Sequence, residues 1–129
     1  MMTRKPRILL MALLAASLLS LGAQAQAAGW VAALKNTPAE DFDDEDLRLL
    51  LAAAAQSLNA EGEPAPVRWD NPATGAGGRF LVQGSSTAKN GQPCRSIRFW
   101  LHSKRYAEKT ALWNACKDEQ GRWRLGRPR

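Results

Sequence analysis

Apolar and polar positions change period once along this chain, and the change divides it. From Leu47 the apolar residues Leu47, Leu50, Leu51, Ala54 and Leu58 recur at helical spacing, which predicts one amphipathic helix. Asp43, Asp44, Glu45 and Asp46 stand at its start, where carboxylates oppose the positive end of the helix dipole, and Thr37-Pro38-Ala39-Glu40 just upstream has the form of a capping box on a short turn. Asn59-Ala60-Glu61-Gly62 ends the helix, and Pro64 and Pro66 forbid its continuation. Beyond Pro66 the period is two. Short alternating runs predict strands at Val67–Asp70, Arg79–Gln83, Arg95–His102, Lys109–Lys117 and Trp123–Leu125, separated by turns at Asn71–Gly75, Lys89-Asn90-Gly91, around Arg105 and at Glu119-Gln120-Gly121. A helix followed by an antiparallel meander is an α+β fold, one helix packed on a small curved sheet of about five strands.

The first residues follow a different rule. Arg4, Lys5 and Arg7 precede an apolar run from Ile8 to Leu21 and then the small-residue series Ala23-Gln24-Ala25-Gln26-Ala27. The run is too short to cross a hydrocarbon core of roughly 30 Å, and the whole reads as a secretory signal peptide over residues 1–27, cleaved after Ala25 or Ala27. Residues 28–129 then form a single exported domain, its core about 43–125, with no transmembrane segment. The expected location is the periplasm or cell envelope of a Gram-negative-type bacterium. No cysteine precedes Cys94, so the chain is expected not to be lipidated.

Export changes the reading of the two cysteines. Cys94 and Cys116 meet in an oxidising compartment, where closing a loop of about 23 residues contributes roughly 3 kcal/mol in the chain-entropy model. If they face each other across a hairpin centred on Arg105, Ile97 lies opposite Trp113 and Phe99 opposite Ala111. Arg95, Ile97, Phe99 and Leu101 then share one apolar face with Ala111, Trp113 and Ala115. Cys94, Ser96, Arg98, Trp100 and His102 share the other. The helix stripe is the natural cover for the apolar face, with Trp69, Phe80, Val82, Trp123 and Leu125 filling the remaining volume.

The net charge of +6 is polarised. Residues 28–66 carry two bases against eight acids, and residues 67–129 thirteen bases against four acids. The two parts attract one another on folding, and the basic part is a candidate for an anionic partner.

Trp69-Asp70-Asn71-Pro72-Ala73-Thr74-Gly75-Ala76-Gly77-Gly78, then Cys94-Arg95, then Ala115-Cys116-Lys117-Asp118 with Gly121-Arg122-Trp123, resembles the C-terminal domain of the bacterial 17 kDa surface antigen family. Asp46-Leu47-Arg48 opening an alanine-rich helix is similar as well, so the resemblance covers about residues 43–125. It carries Trp69, Asn71, Pro72, Gly75, Gly78, Cys94, Arg95, Cys116, Gly121 and Trp123. Many members are lipoproteins with a glycine-zipper segment, and neither feature is present here. The resemblance implies an envelope-associated protein without recognised catalysis. Physically, Asn71 closes an Asx-type turn, Pro72 fixes its backbone and Gly75 takes a positive φ, presenting Trp69 from a rigid corner. A ligand-binding loop is the alternative.

Catalytic constellations are not legible. His102 is the single histidine and no G-x-S-x-G accompanies it, the cysteines serve better as a cystine than as nucleophiles, and the acidic run lacks the glycine and distal glutamate of an EF-hand loop. We expect no enzyme, no cofactor and no metal. The function-like feature is the sheet face opposite the core, where Arg98, Trp100 and His102 are joined by Arg79, Arg122 and Arg124. Guanidinium groups among an exposed indole suit phosphate or carboxylate, so the expected partner is an anionic envelope component. The competing view is that these arginines only solvate the sheet or pair with the acidic helix. An alternative class is a periplasmic inhibitor or assembly factor that binds another envelope protein through Trp100. Given export, no nucleic-acid partner is expected.

Overall fold

The computed structural model describes Trp30 and residues 33–126; the expected signal peptide, 1–27, lies outside the described residues. Thr37 starts the first turn. Its hydroxyl accepts the N–H of Ala39 (3.2 Å) and donates to the Leu34 carbonyl (2.5 Å), and Pro38 opens a 3₁₀ turn, Pro38–Asp41 (η1). The reciprocal half of the expected box is displaced by one residue: the Glu40 carboxylate accepts from the N–H of Asn36 (3.0 Å), not of Thr37. A complete capping box forms six residues later. Asp43 accepts from the N–H of Asp46 (2.8 Å) and Asp46 from that of Asp43 (3.0 Å), starting the helix Asp44–Asn59 (α1).

The buried stripe of α1 comprises Asp46, Leu50, Ala53, Ala54, Ser57 and Leu58. It is therefore rotated from the expected one, with Leu47 and Leu51 only half-buried at its margins. Within the buried stripe Leu50 and Leu58 alternate with the small residues Ala53, Ala54 and Ser57, which let helix and sheet approach, and Leu47, Leu49 and Leu51 cover the flanks.

Five strands, Val67–Asn71 (β1), Ala76–Thr87 (β2), Pro93–His102 (β3), Lys109–Lys117 (β4) and Trp123–Leu125 (β5), form one curled antiparallel sheet in the order β1-β2-β3-β4-β5. Strand β2 departs from expectation at both ends. It begins at Ala76 because Gly77 and Gly78 pair with His102 and Leu101, and it passes Gln83 because a bulge between Val82 and Gly84 resets the register and pairing resumes to Thr87. Gly78 has no room for a side chain: a Cβ there would collide with the Trp100 carbonyl oxygen and lie 2.8 Å from Leu101 Cδ2.

The hairpin register is the expected one, with Cys94 opposite Cys116, Ile97 opposite Trp113 and Phe99 opposite Ala111. Cys94 and Cys116 form a disulfide with a Cα–Cα separation of 4.0 Å. Between sheet and helix lie Phe80, Ile97, Phe99, Leu101, Leu50 and Leu58, all fully buried. Trp69 sits edge-on to Phe42 (centroids 5.3 Å) and Trp30 and Leu34 extend the core ahead of η1. Helix α1 lies on β1 and β2, and the curl brings the far strands round to its C-terminal end.

Replacing both cysteines by serine is expected to lower stability by about 3 kcal/mol. Chemical denaturation of the double variant beside the wild type checks this, with free thiols titrated in the native wild type; an unchanged midpoint contradicts it.

Candidate functional site

The residues singled out in the sequence occupy two different places. Alternation puts Arg68, Arg79, Trp100 and Thr110 in one cross-strand row on the outward face, with Arg98 between Leu81 and Leu112 in the next row and Arg124 beside Cys116 at the far edge. The Arg79 guanidinium stacks over the Trp100 ring, 4.2 Å from its centroid, and Nη1 donates to Glu108 at 3.0 Å. Trp100 is only half-buried, so the packed cation covers part of the expected anchor. Arg98 donates a long hydrogen bond to the Thr110 hydroxyl (3.5 Å) and, like Arg68, has no ion pair among the described residues.

Arg122 and Arg124 differ. Asp118 accepts from both Nε atoms (3.3 and 2.8 Å), and its other oxygen accepts the N–H groups of Gln120 (3.0 Å) and Arg122 (2.9 Å). Those bonds, led by the Arg122 N–H and opposed by partial burial, pull the Asp118 carboxyl down to about 2. The carboxylate knits the β4–β5 turn, where Gly121 donates to the Asp118 carbonyl (3.0 Å), and two of the five expected anion-binding residues are thereby engaged within that turn. In place of the acidic helix, which the competing view offered as partner, Arg79, Arg122 and Arg124 pair with local acids, Glu108 and Asp118. Among the described residues one ion pair joins the acidic and basic parts, Arg105 to Asp41 at 3.6 Å.

Asn71, Arg95 and Trp123 of the motif meet the two ends of α1. At the N-terminal end Asp46, 1 % exposed, accepts from Asn71 Nδ2 (2.8 Å) and the Thr74 hydroxyl (2.6 Å). Asn71 Oδ1 accepts the N–H of Ala73 (3.2 Å) in the expected Asx turn, Pro72 is exposed at its apex, and Gly75 takes φ 76°. The corner thus seats the start of α1 beside buried Trp69. Burial raises the Asp46 pKa, but the bonds from Thr74, the Asp43 N–H and Asn71 outweigh it and hold the carboxyl below the usual aspartate value. At the C-terminal end Arg95 Nη1 donates to the Ala60 carbonyl (2.7 Å) and Trp123 Nε1 to Asn59 Oδ1 (2.9 Å). Arg95 and Lys117 flank the Trp123 ring at 6.0 and 5.3 Å, beside the strand pair that carries the cystine.

Sequence reasoning missed Arg68, Glu108 and the holding roles of Asp46 and Asp118. Asp118 had a legible signal, since Arg122 and Arg124 follow it across a tight turn; Arg68 needs the β1–β2 register, and Glu108 lies in a connection. No group of three or more metal-ligating side chains occurs among the described residues, and no helix there is long and apolar enough to cross a membrane.

A helix clamped at both ends onto a cystine-linked antiparallel meander is the α+β class of fold that the alternation predicts. The model of the 17 kDa outer membrane surface antigen family matches residues 56–124, more than half of the chain, and the protein belongs to that family. No curated protein and no solved structure gives a significant match. Asp46 lies ahead of the matched segment, while its partners Asn71 and Thr74 lie within it.

Replacing Asp46 by alanine is expected to cost roughly 3 kcal/mol, because it deletes a cap and leaves two donors without their charged acceptor. Equilibrium unfolding with urea measures it. The folded carboxyls of Asp46 and Asp118 both lie below the ordinary value of 3.8, so the unfolded chain binds protons first on acidification. Their stabilisation is complete above that value and is lost as pH falls through it towards the folded values, near 2 for Asp118. Melting temperature against pH should fall below about pH 4, and less steeply in an Asp46→Asn variant.

Proposed function

We propose that the protein is a non-enzymatic envelope component that binds an anionic envelope constituent through the outward face of its sheet. Membership of an outer membrane surface antigen family supports the location. The observation that carries the binding reading is the row Arg68, Arg79, Trp100. Two arginines lie directly opposite each other, which destabilises a strand pair, and only Arg79 has an acidic partner among the described residues. The binding centre is then Arg68, Arg79, Arg98 and Trp100, with Arg122 and Arg124 reserved for the β4–β5 turn. A phosphate or carboxylate would take the bidentate geometry that guanidinium groups offer and would relieve the repulsion.

Binding to immobilised lipopolysaccharide, compared with its dephosphorylated form, is expected to need the phosphates, to weaken steeply between low and high salt, and to weaken about tenfold or more in Arg68→Glu/Arg98→Glu. Equal retention of wild type and variant on both supports rejects the sheet face as the site.

A further inference from the structure

A cleft of about 270 Å³ opens between η1 and the tip of the β3–β4 hairpin, away from the arginine row, lined by Asn36, Thr37, Pro38, Glu40, Tyr106 and Lys109. Tyr106 is the chain's single tyrosine and, at 48 % exposure, the one exposed large apolar side chain among the described residues. Its position is fixed from two sides. The Ser103 N–H donates to the Tyr106 carbonyl (3.1 Å) and the Tyr106 N–H to the Ser103 hydroxyl (3.0 Å), which closes the hairpin tip. Arg105 then donates from Nη2 to the Tyr106 hydroxyl (3.3 Å) and reaches Asp41 with Nη1 (3.6 Å), bracing the tip against η1. The ring, half exposed at the mouth of the cleft instead of packed into the core, has the Arg105 guanidinium 5.4 Å from its centroid and offers its remaining surface as an apolar platform.

The rest of the lining is polar. Asn36, in the left-handed region at φ 64°, is exposed; one Glu40 carboxylate oxygen accepts the Asn36 N–H, leaving the other as an acceptor; and Lys109 has no ion pair among the described residues. An aromatic platform, a prolyl wall, amide and carboxylate groups at the rim and one unneutralised ammonium match a particular ligand shape. A pyranose ring presents an apolar C–H face and a rim of hydroxyls, and an acidic substituent would supply the counter-charge for Lys109.

We propose that this cleft binds an acidic saccharide, its ring stacked on Tyr106 and its carboxylate held by Lys109. The inference does not depend on the sheet-face reading, and the same experiment separates the two. Titration of the purified protein with the disaccharide of N-acetylglucosamine and N-acetylmuramic acid, followed through the ring resonances of the single tyrosine, is compared with titration with neutral chitobiose. The expected result is saturable perturbation of the Tyr106 resonances with tighter binding of the acidic sugar. Affinity, read by calorimetry, should fall about tenfold or more for both sugars in Tyr106→Ala, and for the acidic sugar alone in Lys109→Met. Arg68→Glu/Arg98→Glu should bind both sugars like the wild type. Absence of any perturbation at millimolar sugar, unchanged affinity in Tyr106→Ala, or equal affinity for the two sugars with no effect of Lys109→Met overturns the proposal. Unfolding midpoints of the variants establish that each compared protein is folded, and Tyr106→Phe, which keeps the platform, should retain most of the affinity.

Discussion

A single buried carboxylate, that of Asp46, joins the one long helix among the described residues to the sheet. It completes the helix cap through the Asp43 N–H and takes two side-chain donors from the β1–β2 corner, so both of its oxygens are occupied by partners from different segments. Burying an ionised group without such partners costs several kcal/mol, so the helix start and the corner can each be built only if the other is in place. That mutual requirement determines which face of α1 meets the strands, and hence why the apolar stripe is rotated from the one its leucines suggest.

The other end of the helix is held by different chemistry. A guanidinium takes a terminal carbonyl and an indole takes the Asn59 amide oxygen, using β3 and β5 rather than β1 and β2. The family motif, scattered through the sequence as a W-x-N-P corner, a Cys-Arg pair and a Gly-x-Trp, thus meets the two helix ends through Asn71, Arg95 and Trp123. Its residues build the scaffold. The outward arginine row and the Tyr106 cleft lie elsewhere, on surfaces that the scaffold presents and the motif does not include, which leaves room for relatives with one fold to differ in what they bind.

Much of the fold was legible because the cysteine pairing and the apolar alternation constrain the same hairpin, and one register satisfied both. The helix limits followed from a charged start and a proline-barred end. What escaped were features that depend on atoms brought together from afar. Asp46 reads as one of several carboxylates near a dipole until the corner donors are placed beside it. The bulge at Gln83 has no local signature beyond Gly84, and β2 therefore looked short. The candidate face was recognised as arginine-rich, but the division between arginines that hold a turn and arginines that remain unpaired depends on the positions of Asp118 and Glu108.

Because α1 is gripped at Asp46 and again at Asn59 and Ala60, the stretch between behaves as a strut of fixed length and fixed phase. One added or deleted residue would turn one end by about 100° relative to the other and shift it by roughly 1.5 Å, removing either the carboxylate from its corner or the amide from its indole. The curl of the sheet is measured against that strut, since the strands it grips lie on opposite flanks. A change in chain length would therefore be accommodated in the hairpin loops, above all the largely exposed connection between Thr87 and Pro93, while the interval from cap to cap acts as the gauge of the whole domain.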